Sequence, residues 1–118
     1  MRDNIILTKS FQFSLEIVDL YKNLSIKKEY VLSKQLLKSG TSIGANIIEA
    51  KSGNSRKNLI SFYSIALRSA NETKYWLCLV RDTLEVDKGE VNNLIKEADE
   101  ISKIIGKSIL TLKQNEKA

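Results

Sequence analysis

Three cationic residues, Lys51, Arg56 and Lys57, flank a short polar segment at residues 52–55. Ser55 can cap a helix that starts there, so the cations lie beside free backbone amides, which attract phosphate. Lysine, arginine and backbone amides supply most phosphate contacts in nucleic-acid-binding proteins. We therefore predict a contact with RNA or DNA at Lys51, Arg56 and Lys57. The alternative is an ordinary solvated helix cap.

Arg68 and Lys74, further along the same predicted helix, are secondary candidates for nucleic-acid binding. A charged helix face is usually only a solvated face, and Arg68 can alternatively pair with Glu72 one turn away. Tyr75 and Trp76 offer aromatic rings on which unpaired bases can stack. For Trp76, packing in the core is the better interpretation.

Several enzymatic chemistries are excluded by composition. The chain has no histidine, which removes histidine-based acid–base catalysis, histidine-activated nucleophiles and ordinary zinc or di-iron sites. Cys78 is the only cysteine, and a lone helical cysteine is more often inert packing. Glu49 and Glu72 are too distant in the predicted register, about 22 Å, to form one carboxylate site. We therefore expect a protein that is not an enzyme and needs no metal ion or cofactor.

The composition favours long helices in one domain, residues 1–118, because the chain has no proline and only five glycines. The net charge of +5 lies entirely within residues 1–86, whereas residues 87–118 sum to zero, which suits a polyanionic partner. The longest apolar run, residues 76–80, is far too short for a membrane span, and no signal peptide is evident. We expect a cytoplasmic protein without membrane association.

Apolar spacing predicts four helices, over residues 8–24, 28–50, 55–84 and 88–113. Asp87 and Glu90 resemble a capping box at the start of the fourth helix. That helix has the clearest apolar seam, formed by Val91, Leu94, Ala98, Ile101, Ile105, Ser108 and Leu112. Short connections force neighbouring helices to be antiparallel, so we predict an all-α, up-down four-helix bundle.

The second and third helices should form a hairpin that turns at residues 51–54, where the residue types tolerate left-handed backbone. In that hairpin, two residues at the same height on the two antiparallel helices have residue numbers that add up to about 106. Ser42 should therefore lie near Ser64. In this register, a polar strip on the second helix faces a polar strip on the third. The two strips form either a hydrogen-bond ladder, which we favour, or a polar groove for a ligand. Gly40 and Gly44 lie on one helix face and predict close approach of a neighbouring helix or chain.

The first helix is apolar over more than half of its circumference, which is more than a monomeric bundle requires. Either Ile17 and Leu20 are singly exposed, or the helix also packs against another subunit. We favour the second interpretation and expect a homo-oligomer.

Residues 35–50 (QLLKSGTSIGANIIEA) and 62–73 (FYSIALRSANET) resemble the bacterial four-helix-bundle proteins encoded in intervening sequences of 23S ribosomal RNA genes. The most specific part of the pattern comprises Ser42, Ile43, Asn46, Ile47, Glu49, Ala66, Ser69 and Glu72. Ala50 stands where the family usually has glycine, so the helix is expected to continue slightly further before it turns.

The resemblance implies an up-down bundle that assembles as a homopentamer, since the family is similar in fold and assembly to the accessory protein of diversity-generating retroelements. That accessory protein is a pentameric barrel with a basic surface, and it works with a reverse transcriptase and nucleic acid. A nucleic-acid role is thereby implied for this chain, without a defined activity. The alternative is a protein–protein assembly or accessory factor that does not contact nucleic acid.

Overall fold

The chain forms four helices, α1 (Arg2–Ile26), α2 (Tyr30–Ser52), α3 (Arg56–Thr83) and α4 (Lys88–Lys117). The computed structural model describes the backbone of residues 2–53 and 55–117 and the side chains of residues 5–53 and 55–115. The helices contact one another in the cyclic order α1, α2, α3, α4, and α4 returns to α1. The bundle measures 51 × 21 × 21 Å. The predicted all-α, up-down four-helix bundle is confirmed.

The connection between α1 and α2 is a helix C-cap built on a lysine. Lys28 has a left-handed backbone (φ 66°). The Lys28 amide donates to the Ser25 carbonyl at 2.9 Å, and the Glu29 amide donates to the Leu24 carbonyl at 2.9 Å. This pair of hydrogen bonds is the Schellman motif. It ends α1 at Ile26, two residues later than predicted, and delays the start of α2 from residue 28 to Tyr30.

Side-chain caps fix where α3 and α4 start. Ser55 Oγ accepts a hydrogen bond from the Asn58 amide at 3.1 Å, and Asp87 Oδ1 accepts one from the Glu90 amide at 3.2 Å. Both caps were predicted from the sequence and both are confirmed. Each satisfies one of the amides that a helix start leaves without a partner inside the helix.

The core is built from the apolar seams of all four helices. In α4, Val91, Leu94, Ala98, Ile101 and Ile105 are buried as the spacing predicted. Ser108 and Leu112, near the end of that seam, are half-buried. Over the residues described, none of the four helices has a stretch long and apolar enough to cross a membrane.

The polar strip between α2 and α3 is a hydrogen-bond ladder, but its predicted register is wrong. Ser69 donates to Ser42 at 3.0 Å and Thr73 donates to Ser39 at 3.0 Å, so paired numbers sum to 111 or 112. Two causes account for about four of the five to six residues of this shift. The turn is displaced because α2 continues through Ser52, as Ala50 in place of glycine suggested. In addition, helical side chains lean toward their own N-terminus, which adds about two to the sum.

Gly40 and Gly44 mark the close contact that the sequence predicted, and the neighbour is α1. A Cβ atom on Gly40 would lie 2.9 Å from both Cγ1 and Cγ2 of Ile17. A Cβ atom on Gly44 would lie 3.6 Å from Ser10 Cβ and from Ser14 Oγ, which is ordinary contact. The two glycines therefore let α1 and α2 approach closely, most tightly at Gly40.

The excess apolar surface of α1 is real, but the alternative in which Ile17 and Leu20 are singly exposed is wrong. Ile17 and Leu20 are buried, at 0% and 5% exposure. The exposed apolar side chains of α1 instead include Phe11 and Leu15, at 62% and 47%, and Ile5 and Ile26 near the helix ends. Ile17 is buried because Gly40 opens room for its branched side chain against α2.

Candidate nucleic-acid interface

The turn between α2 and α3 is built from short polar hydrogen bonds. Ser52 Oγ donates to the Glu49 carbonyl at 2.9 Å, which satisfies an acceptor at the end of α2. Gly53 has extended backbone (φ −80°, ψ 158°), so the left-handed conformation that glycine tolerates is not used at this residue. Asn54 lies outside the described residues. Ser55 then starts α3, and the chain reverses within four residues.

This turn joins Lys51, near the end of α2, to Arg56 and Lys57, at the start of α3, and we call these three residues the basic end. All three side chains are exposed. Lys51 and Arg56 border a shallow groove of about 420 Å³ whose apolar wall includes Leu59 and Leu112. The groove therefore joins cationic side chains, the capped start of α3 and an apolar floor, which can hold a phosphate with its sugar.

Arg68 and Lys74 are not part of the basic end. Along α3 they lie about 18 Å and 27 Å from Arg56. Lys74 Nζ lies 3.1 Å from Asp99 Oδ1 and donates to Ser102 Oγ at 3.3 Å, so its charge is compensated. Lys103 and Lys74 both bond to Asp99 and lower the pKa of that carboxyl. Lys74 therefore mainly joins α3 to α4.

Arg68 remains an exposed cation on α3. Among the described residues it makes no ion pair, and the Glu72 carboxylate instead accepts a hydrogen bond from Trp76 Nε1 at 3.1 Å. The alternative interpretation, an ion pair between Arg68 and Glu72, is therefore wrong. Arg68 is available to a phosphate, but at a distance from the basic end.

Glu49 and Glu72 do not form one carboxylate site. In the observed register Glu72 lies level with residues 39–40 of α2, about 15 Å from Glu49 along that helix. Cys78 is a free, half-buried thiol. Among the side chains of residues 5–53 and 55–115, no group of three or more cysteine, aspartate or glutamate residues is arranged to hold a metal ion.

One pair of carboxylates was not predicted from the sequence. Glu97 on α4 faces Glu16 on α1 between two grooves of about 140 and 280 Å³. Glu97 Oε2 is buried without a hydrogen-bond partner in the described part of the chain. Burial raises the pKa of the Glu97 carboxyl to about 7, and the Glu16 carboxyl contributes to that rise. Nothing in the sequence links residues 16 and 97, so only the packing of α1 against α4 reveals this pair.

A second groove, separate from the basic end, is lined only by uncharged residues. We call it the apolar groove; it lies between α1 and α2, measures about 640 Å³, and is lined by Leu7, Thr8, Phe11, Gln12, Ser14, Thr41, Gly44, Ala45 and Ile48. Phe11 and Ile48 are 62% and 55% exposed. The breadth of the apolar pattern in α1 was the sequence signal for this surface. The contribution of α2 was missed because Gly44 and Ala45 are small.

Comparison with known proteins agrees with this architecture. Residues 2–107 match the family described as 23S rRNA-intervening sequence protein. A crystal structure of a protein of unknown function from the S23 ribosomal protein family of Bacteroides thetaiotaomicron is 43% identical, with a TM-score of 0.88. The alignment covers 92% of this chain and 98% of that one. No curated protein matches the sequence. Both the fold and the sequence match thus lead to one assignment: this chain belongs to the 23S rRNA-intervening sequence protein family.

Proposed function

We propose that this protein is a non-catalytic, homo-oligomeric nucleic-acid-binding protein whose basic end contacts phosphates. The observation that carries the proposal is the charge of the hairpin formed by α2 and α3. Residues 30–83, which span this hairpin, contain eight basic residues and three acidic residues, and three of the basic ones lie beside the turn. A cationic surface of this kind supports sequence-independent binding to RNA or DNA.

Each subunit contributes only a few cations, so a single subunit should bind nucleic acid weakly. The proposal therefore depends on assembly into an oligomer. In a ring of identical subunits the basic end repeats, and simultaneous phosphate contacts raise the apparent affinity. The same repetition makes binding strongly dependent on salt, because each contact releases counterions. A ring of five subunits is the assembly we propose.

Charge reversal at the basic end should weaken nucleic-acid binding. We expect the double variant Arg56→Glu, Lys57→Glu to lower affinity for labelled RNA or DNA about tenfold or more at roughly 50 mM salt, as measured by fluorescence anisotropy. The matched control is Lys22→Glu, Lys96→Glu, which changes net charge equally at positions on α1 and α4. Wild-type protein that binds neither RNA nor DNA, or a control that loses as much affinity, would refute the proposal.

The apolar groove supports the oligomer, and a second copy of this chain is the occupant we propose for it. Each chain carries a net charge of +5, and contact through an uncharged surface keeps the like charges of two copies apart. Every residue that lines the apolar groove is uncharged. Exposed Phe11 and Ile48 also give it the apolar character typical of the centre of subunit interfaces.

A charge placed in the apolar groove should dissociate the oligomer. We expect wild-type protein to be oligomeric by light scattering, and Phe11→Glu to have the mass of a single 13.4 kDa chain. Leu110→Glu is the control, because Leu110 is 63% exposed but lies on α4, outside the groove. A monomeric wild type would contradict the assembly. A monomer that retains a foreign polypeptide in high salt would support the second candidate function, a protein-binding accessory factor.

A further inference from the structure

Three residues on the outward face of α3 lie on one line that starts at the basic end. Lys57, Arg68 and Tyr75 are separated by 11 and 7 residues. At 3.6 residues per turn these spacings place them within about 20° of one another around the helix, over a length of about 27 Å. All three side chains are exposed. The line therefore presents two cations followed by an aromatic ring to solvent.

The ring of Tyr75 is both accessible and held in place. Its side chain is 60% exposed, and it meets Trp76 edge to face with ring centroids 5.3 Å apart and an interplanar angle of 69°. Trp76 is itself fixed, because its Nε1 donates to Glu72 Oε1 at 3.1 Å and its ring packs against the core. A rigid, exposed aromatic ring provides contact area at a small entropic cost.

Two other cations on α3 are neutralised by a neighbouring carboxylate. Lys74 is paired with Asp99 and Arg81 is paired with Asp82. Lys57 and Arg68 have no ion-pair partner among the described residues. Their charges are therefore available to an anionic ligand that follows the helix.

We propose that this face of α3 binds single-stranded nucleic acid, with phosphates at Lys57 and Arg68 and an unpaired base stacked on Tyr75. The inference rests on the proposed function and specifies its substrate class. A single strand is required because stacking on a side chain needs an exposed base face, whereas bases in a duplex are already stacked on each other. The face also lies away from α1, which α3 does not contact in the described residues, so it is separate from the apolar groove.

The test compares single-stranded and duplex RNA of the same sequence by fluorescence anisotropy. We expect Tyr75→Ala to lower affinity for the single strand about fivefold or more and to leave duplex affinity unchanged. Tyr75→Phe, which keeps the aromatic ring, should retain the affinity of the wild type. Tyr30→Ala is the matched control, because Tyr30 is 50% exposed but lies on α2, away from this face of α3.

The fluorescence of Trp76, the sole tryptophan, gives an independent readout, since a base stacked beside it should quench the emission of the wild type. Unchanged single-strand affinity in Tyr75→Ala, with the wild type binding, would overturn this inference and leave the proposed function intact. Equal reductions for Tyr75→Ala and Tyr30→Ala would overturn it as well. Failure of the wild type to bind any nucleic acid would refute the proposed function itself.

Discussion

The variant Gly40→Ala should have a free energy of unfolding about 1–2 kcal/mol lower than that of the wild type. Its added Cβ would lie 2.9 Å from two carbon atoms of Ile17, and Ile17 is fully buried. A β-branched side chain in a helix is confined to one rotamer, so it cannot swing aside. Overpacking of this kind costs about 1–3 kcal/mol or more, and it outweighs the gain of about 1 kcal/mol in helix propensity. Urea denaturation at fixed protein concentration measures the difference.

Gly106→Ala is the control for this prediction. A Cβ atom on Gly106 would meet nothing within 4 Å, so this variant should gain about 1 kcal/mol from helix propensity alone. Ile17→Ala removes both crowded carbon atoms, so Gly40→Ala should cost much less in that background, which a double-mutant cycle measures. Equal stability of Gly40→Ala and Gly106→Ala would show that α1 and α2 are not in close contact at this position.

Glu97→Gln should stabilise the protein at pH 8 by about 1–2 kcal/mol. The folded-state pKa of Glu97 is raised from 4.5 to about 7 by burial first and then by Glu16, with Glu100 adding to the rise and Lys9 opposing it. The folded state therefore binds this proton more tightly than the unfolded state. The contribution of Glu97 to the stability of the folded state therefore increases as the pH falls from about 7 to 4.5, and it is lost as the pH rises above about 7. The full shift corresponds to about 3 kcal/mol, and solvent screening of a half-exposed side chain reduces that value.

The free energy of unfolding is measured at pH 5 and at pH 8. The protein concentration is kept the same at both pH values, because assembly shifts the apparent stability. Glutamine does not titrate, so the stability of Glu97→Gln should vary less over this interval than that of the wild type. Glu29→Gln, an equal charge change at an exposed helix boundary, is the control. If both variants retain the pH dependence of the wild type, the buried carboxyl pair is not its source.

The parts of the fold that depend on local sequence were predictable. Ser55 and Asp87 cap α3 and α4 as their residue types indicated, since a cap needs only a side-chain oxygen near the first amides. The seam of α4 was also predicted correctly because apolar periodicity follows from helix geometry alone. The end of α1 was harder to predict, because Lys28 occupies a left-handed position that usually belongs to glycine.

The parts that depend on how helices pack were not predictable from periodicity. The pairing of Ser42 with Ser69 requires the position of the turn and the lean of the side chains, and each shifts the register by about two residues. The apolar breadth of α1 indicated excess surface, but only the contact of Ile17 with Gly40 decides that Phe11 is on the outside.

The candidate site also has one part that could be predicted from local sequence and another that depends on packing. Lys51, Arg56 and Lys57 meet because a short turn joins them, so their clustering could be predicted. The pairing of Lys74 with Asp99 could not be predicted, because the two residues are 25 positions apart on different helices. The aromatic ring of Tyr75 was noted in the sequence, whereas its exposure and its contact with Trp76 required the structure.

The salt dependence of single-stranded RNA binding tests the central claim most directly. The logarithm of the affinity of the wild type should fall linearly with the logarithm of the salt concentration. Arg56→Gln and Lys57→Gln should each reduce the steepness of that line by about 0.7 for every phosphate that the variant no longer neutralises. A line that does not fall with salt, or one whose steepness is the same in the wild type and in both variants, would contradict a phosphate-binding role for the basic end.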